Sequence, residues 1–311
     1  MAFAGLVRPA GLEAQPAITY VQGNYAAPVG PQTAVSVPYI GAQAAGDLNV
    51  VVVGWNDSTA VVSGVTDSTG NTYTLAVGPT VLSGYASQSI YYAPNIAPAA
   101  PWANTVTVTF ATAAVSPDIR IVEYSGADPV QPVDVSSANS GNSGVSDSGS
   151  ATTTNATDLV FGANLVETGT AGLDSSGFIE RMLTVPDGDI VEDQMVAVTG
   201  SYSAGAMVSP AGPWIMQMVA FRTPPINYVQ SNWATPQVPQ TTVSVPYTAA
   251  QAPGDLNVVV VGWNDSTAVV SGVTDSVGNT YTLAVGPTVQ SGYASQSIYY
   301  APNVLPAAAG A

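Results

Sequence analysis

One stretch of this chain is written twice. GDLNVVVVGWNDSTAVVSGVTDS occupies residues 46–68 and recurs at residues 254–276. Ile18 recurs as Ile226 and Trp55 as Trp263, an offset of 208 in both pairs (226 − 18 and 263 − 55), with no gap from Ile18 to Asn95. Between Gly46 and Asn95 only two positions differ, Thr69 against Val277 and Leu82 against Gln290. A period this long exceeds the roughly 20–50 residues of a solenoid repeat, so each copy reads as a bead that folds separately. The chain divides into an N-terminal segment (1–17), a complete repeat (18–224) and a partial second repeat (226–311) equivalent to 18–103. Two prolines in RTPP (222–225) stiffen the junction where the pattern restarts.

Inside the repeat the apolar pattern has period two. NTVTVTF (104–110) places Val106, Val108 and Phe110 on one face and three threonines on the other. TAVSVPY and its copy TTVSVPY do the same with Val35 and Val37, or Val243 and Val245. DLNVVVVGW is apolar on both faces, as a central strand covered on both sides must be. TDLVFGANLVE (157–167) reads alike, with Gly162 marking a bulge or close packing. The spacing nowhere predicts a capped amphipathic helix. It predicts about a dozen strands per period, in two antiparallel sheets packed as a β-sandwich of jelly-roll or immunoglobulin-like type, repeated in tandem with the second copy incomplete. SIYYAPN and NTVTVTF are expected to be hairpin partners across residues 96–103, making one large sandwich. The polar stretch from 136 to 158 is expected to be a loop.

Composition then limits what such a bead can do. Charged residues make up 8% of the chain, the formal net charge is −16, and the only cations are Arg8, Arg120, Arg181 and Arg222. Phosphate backbones and anionic lipid headgroups need clustered Lys or Arg, so neither nucleic acid nor a membrane surface is an expected partner. No segment reaches the roughly 20 apolar residues of a membrane span. Without His or Cys there is no Ser/His triad, no thiolate nucleophile and no His-based metal site; without Lys there is no Schiff base and no P-loop. A surface kept soluble by Ser, Thr, Asn and Gln suits an exported protein, although the start MAFAGLVRPAGLEAQPA lacks the apolar run of a signal peptide.

Carboxylates, hydroxyls and aromatics remain. DGDIVED (187–193) gathers Asp187, Asp189, Glu192 and Asp193, oxygen ligands of the kind a hard cation takes. Calcium is the one cofactor this suggests; a solvated turn is the alternative, since the spacing is not that of an EF-hand. WNDSTA, present at both copies, reads as an Asx turn that ends a strand, with Asp57 and Asp265 capping their own backbone. Glu123 falls in phase with Ile119 and Ile121, so an unbroken strand would aim it at the core, where Arg120, Arg181 or Arg222 would have to pair with it or its pKa would rise as in a general acid; the expectation is a bulge or strand end that places it at the rim. Tyr85, Tyr91, Tyr92, Trp233, Tyr293, Tyr299 and Tyr300, with Trp55, Trp102 and Trp214, are candidates for a glycan platform or an assembly surface, against a plainer reading as sheet packing.

GDLNVVVVGW, VTDSTGNTYTLA, SIYYAPN, NTVTVTF and VEYSG together resemble the long β-sandwich repeats of large secreted bacterial surface and adhesin-like proteins. The resemblance covers residues 18–222 and resumes at 226. It implies an extracellular or cell-surface location and a structural or adhesive role in tandem arrays, and it assigns no catalytic residue. Residues 104–224 could complete a sandwich with either near-identical copy, which is the condition for domain swapping and head-to-tail fibres; swapping alone leaves one copy uncompleted, so the alternatives are docking on a neighbour, a piece of a longer array, or a copy that folds alone. The expected function is therefore non-enzymatic self-assembly into a filament or surface layer, the partial repeat contacting a neighbouring copy by strand addition or swapping. The alternative is a carbohydrate-binding adhesive module stabilised by calcium.

Overall fold

The computed structural model describes residues 17–174 and 177–310; the N-terminal segment through residue 16 lies outside the described residues. The described chain forms two compact units that divide between Pro225 and Ile226. All of its regular secondary structure is β-strand, and every strand pairing is antiparallel.

In the first unit the alternating segments before residue 126 form β1 (Thr19–Ala26), β2 (Gln32–Pro38), β3 (Leu48–Trp55), β4 (Val62–Asp67), β5 (Thr74–Leu82), β6 (Ala86–Ala93), β7 (Thr105–Ala114) and β8 (Asp118–Ser125). They build a five-stranded sheet ordered β1-β8-β3-β6-β5 and a three-stranded cover sheet ordered β2-β7-β4. Successive side chains of a strand point to opposite faces. Val51 and Val53 of β3 therefore meet Val35, Val37, Val106, Val108 and Phe110 of the cover sheet in one core. Val50 and Val52 face the other way into a second core.

That second core is closed by the rest of the unit. Residues 133–222 form β9 (Val133–Asp147), β10 (Ala151–Thr152), β11 (Asp158–Val166), β12 (Thr170–Leu173), β13 (Ile179–Leu183), β14 (Ile190–Val196), β15 (Ser201–Tyr202) and β16 (Gly205–Arg222). A third sheet runs β12-β16-β11-β14-β13, with β9 also along β16, and β10 pairs β15. Leu159, Phe161, Ala163, Val219 and Phe221 of this sheet pack against Val50, Val52, Ile90, Val122 and Tyr124. Both β3 and β11 are buried from end to end, as their doubly apolar sequences require. Gly162 is a close-packing glycine: a Cβ there would stand 2.6 Å from the Ala204 Cβ.

Two expectations are corrected. β6 bonds β3 on one edge and β5 on the other, so it has no free edge for β7, which belongs to the cover sheet. The connection between them crosses from one sheet to the other, pinned by a bridge between Gln43 and Ala99. The repeat is thus three sheets stacked face to face rather than one large sandwich of two sheets. The polar run from residue 136 is also no loop: through residue 147 it belongs to β9, paired along β16. Its small polar side chains conceal a backbone whose hydrogen bonds β16 supplies.

The second unit, Ile226–Ala311, contains β17 (Asn257–Trp263), β18 (Thr282–Gln290) and β19 (Ala294–Ala301) in a sheet ordered β17-β19-β18. This reproduces the β3-β6-β5 part of the first unit, with Asn257 opposite Ala301 as Asn49 is opposite Ala93. The counterparts of β1, β2 and β4, at residues 227–234, 240–246 and 270–275, carry no strand, so the strand expected at TTVSVPY, with Val243 and Val245 on one buried face, is not formed.

Candidate assembly edge and acidic cleft

The difference between the two copies traces to the β7–β8 hairpin. In the first unit β8 lies between β1 and β3, and β7 lies between β2 and β4; β1 has no sheet neighbour but β8, and β2 and β4 none but β7. Among the described residues the second copy shows no counterpart of either hairpin strand. Near-identical sequence therefore loses three strands, because their backbone partners are missing. The hairpin also supplies Val106, Val108, Phe110, Ala114, Ile119 and Ile121, six of the thirteen buried residues of the core under the cover sheet. Without them Val243 and Val245 are 52% and 42% exposed, against 6% and 0% for Val35 and Val37. The opposite face lies open too: Val258 and Val260 are 53% and 57% exposed, where Val50 and Val52 are fully covered by the third sheet.

A polar ring at one end of the core repeats the pattern. Gln43 donates to Asn49 (2.8 Å), Asn49 to the Tyr73 hydroxyl (3.2 Å), and Tyr73 to Asp67 (3.0 Å). Asn104, just before β7, closes the ring by donating to Gln43 Oε1 (2.7 Å) and Asp67 Oδ2 (3.1 Å). The second unit retains Gln251 to Asn257, Asn257 to Tyr281 and Tyr281 to Asp275. Among the described residues no side chain takes the place of Asn104 there. The second unit thus presents an open β17 edge, exposed core valines and an incomplete polar ring, all shaped for a hairpin of the 104–125 pattern.

A second site lies at one end of the first unit. Arg120, fully buried on β8, donates through Nη1 to the carbonyls of Asn164 (2.7 Å) and Ile190 (2.9 Å) and through Nη2 to Gln88 Oε1 (3.1 Å). Its Nε stands 2.6 Å from Asp118 Oδ1. Asp118, Asp187 and Asp189 bring carboxylate oxygens within 4.8 Å of one another. They line a cleft of about 180 Å³ together with Asn56, Ser116 and Glu167. Asp189 Oδ1 accepts from the Val166 amide (2.7 Å), whereas Asp189 Oδ2 and Asp118 Oδ2, both buried, accept no hydrogen bond. Burial holds all three carboxyls above their ordinary range, against the opposing pull of Arg120.

Of the acidic run at 187–193, the structure brings Asp187 and Asp189 together and sends the other two elsewhere. Glu192 and Asp193 are neighbours on β14 and so face opposite ways. Glu192 Oε1 accepts from the Gly205 amide (3.0 Å). Asp193 accepts from the Tyr124 hydroxyl (2.7 Å) and holds Arg181 through two bonds of 2.8 and 3.0 Å. Asp118 escaped the sequence reading because it stands far upstream of the run; its one local signal is the D-x-R spacing that puts Asp118 and Arg120 on one face of a strand. Asp57 does cap its own backbone, accepting from the Thr59 and Ala60 amides, and Asp265 repeats this.

Glu123 is fully buried on an unbroken strand, and its partner is no arginine. It accepts from Gln22 Nε2 (2.5 Å) beside the carboxyl of Asp47, and burial pushes it up to about 7. The aromatic residues do not form one platform. Trp55 is buried edge-on against Phe110, and Trp214, on β16, is buried in a separate core with Val160 and Met216. Tyr91 and Tyr92 alternate, Tyr91 toward the cover-sheet core and Tyr92 against Phe221. Tyr299 and Tyr300 alternate in the same way along β19. Tyr85, Trp102, Trp233 and Tyr293 are exposed on separate turns and connections. Among the described residues no helix is long and apolar enough to cross a membrane. No protein-family model, curated protein or solved structure matches the chain.

Proposed function

We propose that this chain is a non-enzymatic, extracellular structural protein that associates with its own copies, the Ile226–Ala311 unit taking strands from a neighbouring subunit. One observation carries the reading: the second copy exposes the backbone edge and the valines that β7 and β8 cover in the first. An unpaired edge beside an apolar face is a template for strand addition. The first copy shows what satisfies it, a hairpin whose Val106, Val108, Phe110, Ile119 and Ile121 each contribute about 1.5–3 kcal/mol on burial. A neighbour that lends its hairpin opens an equal slot in its own first unit, so exchange passes the open edge onward. Head-to-tail exchange that does not close on itself makes a filament or layer. The low content of charged residues and the resemblance to surface-protein repeats support the extracellular setting.

The test is mass in solution by light scattering, with electron microscopy, on the full chain and on a version ending at Pro224. Fibres or large assemblies from the full chain, with a monomeric short version, are the expected result. Two monomers would remove self-association through the second unit and leave an adhesive, glycan-binding module as the better reading.

A further inference from the structure

We propose that Asp118, Asp187 and Asp189 bind a divalent cation, calcium by their chemistry, in the cleft between the start of β8 and the turn leading into β14. The inference is independent of the assembly reading, since all three residues lie in the first unit. It does not rest on acidic clustering alone. Asp189 and Asp118 are 0% and 1% exposed, each has a buried carboxylate oxygen that accepts no hydrogen bond, and both line the one cleft with Asp187. Buried polar atoms in folded chains are nearly always partnered, so two such oxygens on carboxylates that line one cleft mark a place built for something that accepts their lone pairs.

Charge and donor type identify the ligand. Asp118, Asp187 and Asp189 against the one guanidinium of Arg120 leave a net negative charge, to which Glu167 on the cleft lining adds, so the ligand is a cation. The donors are all oxygen, with no imidazole or thiolate, which selects a hard cation over zinc. Ca²⁺ takes about six to eight oxygens in flexible geometry, and Asn56, Ser116 and Glu167 line the cleft to add to the three carboxylates. Mg²⁺ demands near-octahedral geometry and keeps its waters, which suits this set less well. Asp187, half-buried, stands on the solvent side where an ion would enter. Asp118 belongs to the five-stranded sheet, while Asp187 and Asp189 precede β14 of the third. The ion would therefore clasp these two sheets at the end where Arg120 already crosses between them.

The test uses the chelator-treated full chain, titrated with CaCl₂ by calorimetry and melted in rising calcium. One Ca²⁺ per chain and a Tm that climbs with calcium concentration are expected, because the ion binds the folded state only. Asp187→Asn, whose side chain supports no fold contact seen here, should weaken binding by at least the about 10- to 100-fold typical of outer-shell losses. Glu180→Gln, exposed on β13, should leave binding unchanged. Heat and Tm both flat up to about 10 mM calcium, tenfold above the weakest extracellular calcium modules, would overturn the site. So would calcium binding that survives unaltered in Asp187→Asn, or Mg²⁺ binding tighter than Ca²⁺.

Discussion

Arg120 is the residue on which the first unit's interior polarity turns. It is fully buried, spans the gap between two sheets, and uses both terminal nitrogens on partners while Nε faces Asp118. Removing one member of a buried pair strands the other, at a cost of about 3–5 kcal/mol. Arg120→Met should therefore lower the unfolding free energy by about that much in urea titration of the first unit's transition. A loss within the range of surface pairs would show that Asp118 is held by something other than Arg120. The other buried carboxyls set a pH dependence. Burial pushes Asp158 up to about 6, Glu123 to about 7 and Glu192 to about 8, all above their ordinary values. The folded chain holds these protons more tightly than the unfolded chain, so their stabilising contribution is complete below about pH 4 and is lost as pH rises through 6 to 8. Asp57, Asp67 and Asp134 are shifted downward, and their effect falls below that window. In chelator, the denaturation midpoint should fall between about pH 5 and about pH 8, and Glu192→Gln, which keeps an oxygen for the Gly205 amide, should flatten the upper part of the fall. A midpoint rising across that range would contradict the assignment.

Among elements, the β7–β8 hairpin decides which copy is finished. Its register offers a direct readout of exchange. Val122 of β8 lies opposite Val50 of β3, and the counterpart of Val50 is Val258 on the open edge. The chain contains no cysteine, so Val122→Cys with Val258→Cys introduces the only thiols, and Val258→Cys alone controls for pairing between two exposed β17 edges. Each change is small and apolar. If a neighbour's hairpin enters the second unit, oxidation should yield a ladder of disulfide-linked multimers on a non-reducing gel; linked monomer alone would mean that a chain lends the hairpin to its own second unit. Amide exchange gives a second view of the same contrast. β3 is flanked by β8 and β6, β17 by β19 alone. Fragments that span Thr69 or Leu82 can be told by mass from those that span Val277 or Gln290. Those from the second unit should exchange faster, by orders of magnitude for the dispersed chain, with the gap narrowing on assembly. Equal protection in a dispersed monomer would mean that the second unit closes its own edge.

At the scale of the whole molecule, the sequence by itself determined the all-β class and the faces of most strands of the first unit. Period-two alternation is a local property, so NTVTVTF announced its buried face and LNVVVVGW its double burial. The duplication announced two related units, and DSTA announced its Asx turn. Which strands are neighbours was decided only by tertiary structure. β6 and β7 follow one another closely yet belong to different sheets, because pairing depends on which edges are free, and no window of residues records that. β9 was concealed for the same reason: serines and asparagines carry no apolar signal, and β16 alone supplies its backbone partners. Asp118 meets Asp187 and Asp189 only because the five-stranded and third sheets stack, which brings groups far apart in the chain to one cleft. The two copies make the limit plain. Residues 62–67 and 270–275 are the same six letters, a strand in one unit and none in the other, since a β-strand exists only where another strand completes its hydrogen bonds.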